Sequence, residues 1–184
     1  MGFNSEHLKA NLRMAITRIG ILKNKKHNGM LAKKEEIANY LRAGNEEMAK
    51  INVEGVINSE NFISALEILC IMCTQCAERI RVITEFKDCP RDMLGSVHTL
   101  IYAEPYCECP ELVKVKEQLK LKYGKNLVRA AERDEEGLVN STVKAKLATC
   151  IPDMEVKIVK LEEIAAERHV EYTPSGRFIR VSAT

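Results

Sequence analysis

Tryptophan is absent from the chain, aromatic residues make up 5% of it, and its five prolines and nine glycines are thinly spread over 184 residues. So little aromatic and turn-forming chemistry argues against a many-stranded sheet, while the plentiful Lys, Glu, Leu, Ile and Ala are helix formers. An all-α protein is expected. No uninterrupted apolar run approaches the roughly 20 residues of a membrane span, and Met1-Gly2-Phe3-Asn4 opens no signal peptide. Glu6 stands where an N-myristoylation pattern requires Ser or Thr. Walker A, HExxH, GxSxG and dinucleotide-binding patterns are all missing. The expectation is a non-enzymatic, soluble, cytoplasmic chain without a cofactor.

What is present is 46% hydrophobic residues, enough for one core at this length. The seven cysteines are odd in number and read as reduced thiols. Net charge is +2, but residues 1–50 hold ten basic against five acidic side chains, so the positive end is the first helix.

Leu8, Leu12, Ala15, Ile16, Ile19 and Leu22 recur at steps of three and four, and Met30, Ile37, Tyr40 and Leu41 resume the stripe. This predicts a helix from about 6 to 43, with Gly29 a candidate kink. Asn45 caps a second helix that carries Ile51, Val53, Val56, Leu66, Leu69, Cys73, Cys76 and Ile83 to about Phe86. Two such arms, each roughly 50–60 Å long, predict a rod-like hairpin. Prolines then predict short helices over Arg91 to Ala103, Glu111 to about Glu132 through Gly124, Ser141 to Ala148, and 153–168. Met154, Ile158, Leu161 and Ile164 share one face of the last helix and predict its docking on the hairpin. The helical domain is expected over 1–172 and a tail over 173–184.

Cys70-x-x-Cys73-x-x-Cys76 has the look of a soft-metal set, but it continues an apolar stripe, where cysteine packs as a small hydrophobe. Cys107-Glu108-Cys109-Pro110 predicts an exposed loop with incidental thiols. His7, His27, His98 and His169 lie on different elements without telling partners. No metal site is expected. The basic set Lys9, Arg13, Arg18, Lys23, Lys25, Lys26, Lys33 and Lys34 is either a solvated helix face or a surface for anionic membrane or an acidic partner. Its lack of interleaved aromatics argues against nucleic acid.

Ordered motifs run through nearly the whole chain: Asn11-Leu12-Arg13, Glu36-Ile37-Ala38, Leu41-x-x-Gly44, Val53-Glu54-x-x-Ile57 and Leu66-Glu67-Ile68-Leu69. Ser96-Val97-x-Thr99-Leu100-Ile101-Tyr102-Ala103, Gly137-x-Val139-Asn140 with Lys146-Leu147, and Glu163-Ile164-Ala165 leading to Val170-x-Tyr172 follow. In order and spacing they resemble the increased-sodium-tolerance family, ESCRT-III-like regulators of the vacuolar-sorting AAA ATPase. The resemblance implies an ESCRT-III-like core, a long antiparallel hairpin with shorter helices alongside and a last helix folded back. It also implies co-assembly into filaments with charged multivesicular body proteins, and tuning of the ATPase that disassembles them, at endosomal membranes and in late cytokinesis. Through it, the basic set becomes a candidate assembly or membrane face, and a groove beside the last helix a candidate partner site.

Two departures stand out. Thr74-Gln75-Cys76 replaces a leucine-rich stretch, and the chain reaches Thr184 without the C-terminal, ATPase-docking helix of family members. The competing reading is a BAR-like membrane-shaping module, which also presents a basic face on long helices. Pro90, Pro105, Pro110 and Pro152 argue against its extended coiled coil.

Overall fold

The computed structural model describes residues 2–176. They form eight α-helices: α1 (Ser5–Arg42), α2 (Glu46–Glu78), α3 (Ile80–Glu85), α4 (Arg91–Ala103), α5 (Glu111–Tyr123), α6 (Lys125–Arg133), α7 (Ser141–Leu147) and α8 (Met154–Glu167), with a 3-10 turn at Glu104–Tyr106. No strand occurs among the described residues, so the all-α expectation holds. Residues 177–184 of the expected tail lie outside the described set. Two compact units divide the chain, one of residues up to Lys25 with Asn61–Ala148, the other of Lys26–Glu60 with the residues from Thr149 on.

In the first unit, Leu8, Leu12, Ala15 and Ile19 of α1 and Leu66, Leu69, Cys73 and Cys76 of α2 share a core with Met93, Val97, Leu100 and Ile101 of α4. Leu112, Val115 and Leu119 of α5 and Val128 of α6 complete it. The three-and-four spacing that marks these residues in sequence is what turns them to one side of each helix. Asn140 caps α7, its side chain accepting from Val143 N–H at 3.0 Å, while its own N–H donates to Thr99 Oγ1 at 2.9 Å.

The second unit contains the turn joining α1 to α2. Gly44 takes φ +72, Asn45 N–H reaches back to the Tyr40 carbonyl at 2.8 Å and Gly44 N–H to that of Leu41 at 3.1 Å. This is the left-handed helix ending that glycine permits. Asn45 then accepts from Met48 N–H at 3.3 Å and starts α2. Ile37, Ala38, Val53, Val56, Leu161 and Ile164 are buried in this unit.

As expected, α1 runs on through Gly29 to Arg42. Other expectations change. The second helix stops at Glu78, because Arg79 leaves helical geometry at φ −101, ψ 23 and pairs with Asp92 of the neighbouring α4. Gly124 divides one expected helix into α5 and α6, taking φ +92, ψ 163, a conformation essentially reserved for glycine. Cys107 and Cys109 are buried rather than exposed, and burial raises their thiol pKa values to about 12 and about 11. Cys73 and Cys76 are buried too, with Cys76 pushed up to about 12 chiefly by desolvation; they pack as small hydrophobes.

A window of 18 residues in α2 reaches a mean hydropathy of 1.4, sufficient by length and composition to cross a membrane, with 33% of it buried. Counting uninterrupted runs misses this window, since scattered polar residues break the runs while barely lowering the mean. Core helices meet the same test. Leu66, Leu69, Cys73 and Cys76 of this helix lie in the core, whereas Ile71 is 68% exposed.

Candidate functional site

Within the second unit, α8 is held by apolar burial and by charge. Leu161 and Ile164 are fully buried, and each such side chain contributes about 1.5–3 kcal/mol. Around them Lys157 pairs with Glu54, Lys160 Nζ reaches Glu60 at 2.8 Å, and Lys34 Nζ reaches Glu167 at 3.2 Å. Arg168 Nη1 lies 2.9 Å from Glu35 and its Nη2 donates to the Leu31 carbonyl at 3.3 Å. Beyond α8 the chain returns to the first turn of α2, where Tyr172 Oη and Ser175 N–H donate to Glu46 at 3.1 and 3.4 Å. Burial works to raise the Glu46 pKa. The hydrogen bonds from Ser175, Tyr172 and Lys50 outweigh it and hold the carboxyl below its usual range.

The opposite side of α8 is open. Met154, Ile158 and Val159 line a groove of about 270 Å³ together with Glu155, Glu162, Ser175 and Gly176. Among the described residues its lining carries two carboxylates and no basic side chain. Of the four residues expected to dock α8, Leu161 and Ile164 face the core, Ile158 is half-buried in the groove, and Met154 is 49% exposed there. Burial thus increases along the helix, from Met154 at its first residue to Leu161 and Ile164 nearer its end. The sequence reading missed Val159 and the buried Lys157, although Val156 and Val159 stand as apolar signals off the core stripe.

The basic set of α1 is less unified than its sequence implies. At about 100° per residue, Lys9, Arg13 and Lys23 fall on one side of the helix, and Arg18 and Lys25 on the other. Most are already engaged: Arg13 with Glu78 at 3.7 Å, Lys23 with Glu67 at 3.5 Å, and Arg18 with Glu111 at 3.0 Å. The Arg18 guanidinium holds the Glu111 carboxyl below its ordinary pKa. In the second unit Lys33 contacts Glu36 and Asn52, Lys26 is half-buried, and Lys34 is only 9% exposed beside Glu167. Lys34 therefore belongs to the contacts of α8 rather than to an outer charged face. Lys25 is exposed and Lys9 half-buried. Among the described residues no group of three or more His, Cys, Asp and Glu has metal-binding geometry.

Comparison with known proteins bears on this arrangement. Residues 9–171 match the family model of Ist1, described as "Regulator of Vps4 activity in the MVB pathway". An IST1-like protein of Dictyostelium discoideum is 37% identical over 173 residues, covering 94% of this chain and 47% of that protein. The chain thus spans about half the length of that curated relative. The S. cerevisiae Ist1 N-terminal domain, solved in complex with a Did2 MIM motif, superposes with a TM-score of 0.86 at 24% identity, covering 94% of this chain and 96% of that one. The likeness shows that the fold is that of an Ist1 N-terminal domain, not a BAR-type coiled coil. Because the family match spans most of its length, the chain belongs to the Ist1 family, regulators of Vps4 activity in the multivesicular body pathway.

Proposed function

We propose that this chain is a non-catalytic assembly subunit that uses the α8 groove to bind the C-terminal helix of a charged multivesicular body protein. Through that contact it modulates the vacuolar-sorting AAA ATPase Vps4 at endosomal membranes during multivesicular body sorting, and in late cytokinesis. The observation that carries the reading is the open apolar strip Met154, Ile158 and Val159 between carboxylates. An amphipathic helix that inserts leucines and carries basic flanking residues complements such a strip, the helix-in-groove mode in which apolar anchors give affinity. The yeast relative solved with a Did2 MIM motif supports the choice of ligand.

In this reading the basic residues of α1, Arg13 and Lys25 foremost, meet neighbouring subunits or anionic lipid, each contributing at most about 1 kcal/mol near an acidic surface. The 1–172 region acts as one functional domain. The decisive experiment is calorimetry with the C-terminal helix of a charged multivesicular body protein. Saturable binding that is lost in Ile158→Asp and Val159→Asp, with the helical spectrum preserved, supports the assignment. Undiminished binding by both variants moves the partner site elsewhere, and absence of heat with the wild-type chain removes it.

A further inference from the structure

Two surface ion pairs of the first unit fix how α1 and α2 lie against each other. Arg13 reaches Glu78 at 3.7 Å and Lys23 reaches Glu67 at 3.5 Å, so the helices run antiparallel with both cations on α1 and both anions on α2. At about 100° per residue, Arg13, Gly20 and Lys23 share one side of α1, and Glu67, Ile71, Thr74 and Glu78 share one side of α2. Gly20 stands three residues before Lys23 and Ile71 four after Glu67, which sets them at one level between the two pairs. Ile71 is 68% exposed, more than any other large apolar side chain described in this unit. Gly20 is exposed too, and a Cβ built on it would meet no atom within 4 Å, so α1 offers bare backbone level with the projecting isoleucine. Thr74, in the stretch that departs from the leucine-rich family pattern, donates its hydroxyl to the Cys70 carbonyl at 2.8 Å and needs no further partner.

We propose that this face binds the same face of a second copy of the chain about a two-fold axis parallel to the helices, with Ile71 of each copy over Gly20 of the other. Rotation about that axis lays α1 of one copy on α2 of the other without changing its height. Arg13 then meets Glu78 of the second copy, and Lys23 meets Glu67 of the second copy. A two-fold axis across the helices instead lays α1 on α1 and sets Arg13 against Lys23, like charge on like. An isologous contact has to complement itself, and only the first arrangement does. Two cations and two carboxylates leave the face without net charge, which favours a copy of itself over an anionic bilayer or a nucleic acid, since both reward cations alone. The strip falls short of the roughly 800 Å² per partner of a standard interface, so the contact is weak alone and gains by repetition in an assembly. It specifies how copies of the chain meet within the assembly role proposed above, and rests on that role.

The test is NMR of the 184-residue chain over concentrations from about 0.02 to about 1 mM. Amide shifts of residues 13–23 and 67–78 should move with concentration along a saturating curve, and less so in high salt. Gly20→Leu fills the bare strip and Ile71→Ser removes the projection, and each should weaken self-association about tenfold with the fold intact, because both positions face solvent in the single chain. Arg13→Glu with Lys23→Glu should abolish the association. Adding Glu67→Lys and Glu78→Lys to that pair exchanges the two signs and should restore it. The absence of concentration-dependent shifts up to about 1 mM overturns the proposal, as does undiminished association in both Gly20→Leu and Ile71→Ser, or no recovery in a fourfold variant that melts like the parent. Shifts of these residues only on adding a charged multivesicular body protein assign the face to that protein and overturn it equally. Peptide binding at the α8 groove, measured on Gly20→Leu, reads the proposed function separately, so the two fail distinguishably.

Discussion

Lys157, one of the few buried lysines of the chain, sits on the inner side of α8 with its ammonium against the Glu54 carboxylate of α2. Glu54 keeps its side chain 35% exposed, so the pair is half in water. Removing one member leaves the other partly desolvated and unpaired. Glu54→Ala should therefore cost about 1–3 kcal/mol, and Lys157→Met, which keeps the buried stem and deletes the charge, should cost less. Denaturant unfolding of both variants checks the order; equal losses would show that leaving Lys157 charged and unpaired adds nothing to the loss of the pair.

Leu161 tests the apolar half of the same attachment. Truncation of a fully buried leucine to Ala costs about 2–5 kcal/mol, and Leu161→Asp adds an unpaired charge. Amide exchange over 154–167 should accelerate strongly in Leu161→Asp while that of α4 and α5 stays slow. Met154→Ala, by contrast, should leave stability nearly unchanged and weaken peptide binding, because this side chain is exposed in the groove.

Charge reversal on α1 separates assembly from folding. Arg13 meets Glu78 at 3.7 Å with both side chains more than half exposed, a pair worth roughly 0–1 kcal/mol. The double variant Arg13→Glu, Lys25→Glu should melt within a few degrees of the parent and fail to form filaments with a charged multivesicular body protein. Normal filaments under the electron microscope would reduce both residues to solvated side chains. Arg18→Glu is the contrasting case, since it breaks a two-pronged contact with Glu111 and should lower stability as well.

Asp134 predicts a pH dependence. It ends α6 in the left-handed region at φ 50, pairs with Lys144 at 2.8 Å and accepts from Val139 N–H at 3.1 Å. The Lys144 hydrogen bond first, and the Val139 N–H second, hold its carboxyl below the ordinary range. A carboxyl depressed in the folded state stabilises it above its unfolded pKa of about 3.9, and that contribution disappears as pH falls through the folded value. An asparagine side chain at this position tolerates the same left-handed backbone and keeps an acceptor for Val139. Asp134→Asn should thus be less stable than the parent from neutral pH down to about 5 and converge with it at lower pH. A constant gap down to the lowest pH would assign the effect to shape rather than charge.

Gly124→Ala should destabilise the first unit by about 1–3 kcal/mol. The space beside Gly124 is open, so the cost comes from its φ of +92 and not from a clash. A melting curve matching the parent would mean that α5 and α6 merge through this position, as the amphipathic pattern alone predicts.

Local composition and periodicity determined a great deal. The helix-forming residues, the stripe from Leu8 to Leu41, Asn45 and Asn140 as caps and the prolines before the short helices are properties of neighbouring residues, so the all-α class and the helix starts other than those of α3 and α6 are legible in order alone. Tertiary structure decided what depends on residues distant in sequence. Arg79 ends α2 where Asp92 meets it, although neither glycine nor proline marks the place. Cys107 and Cys109 enter the core because the segment before α5 packs inward. Lys34 and Lys157 are drawn inward by Glu167 and Glu54, partners more than a hundred positions away in the chain. The groove on α8 likewise arises where separate segments leave a gap between them. Periodicity states which side of a helix is apolar; whether that side is covered depends on the length and placement of the other segments, which no local pattern encodes.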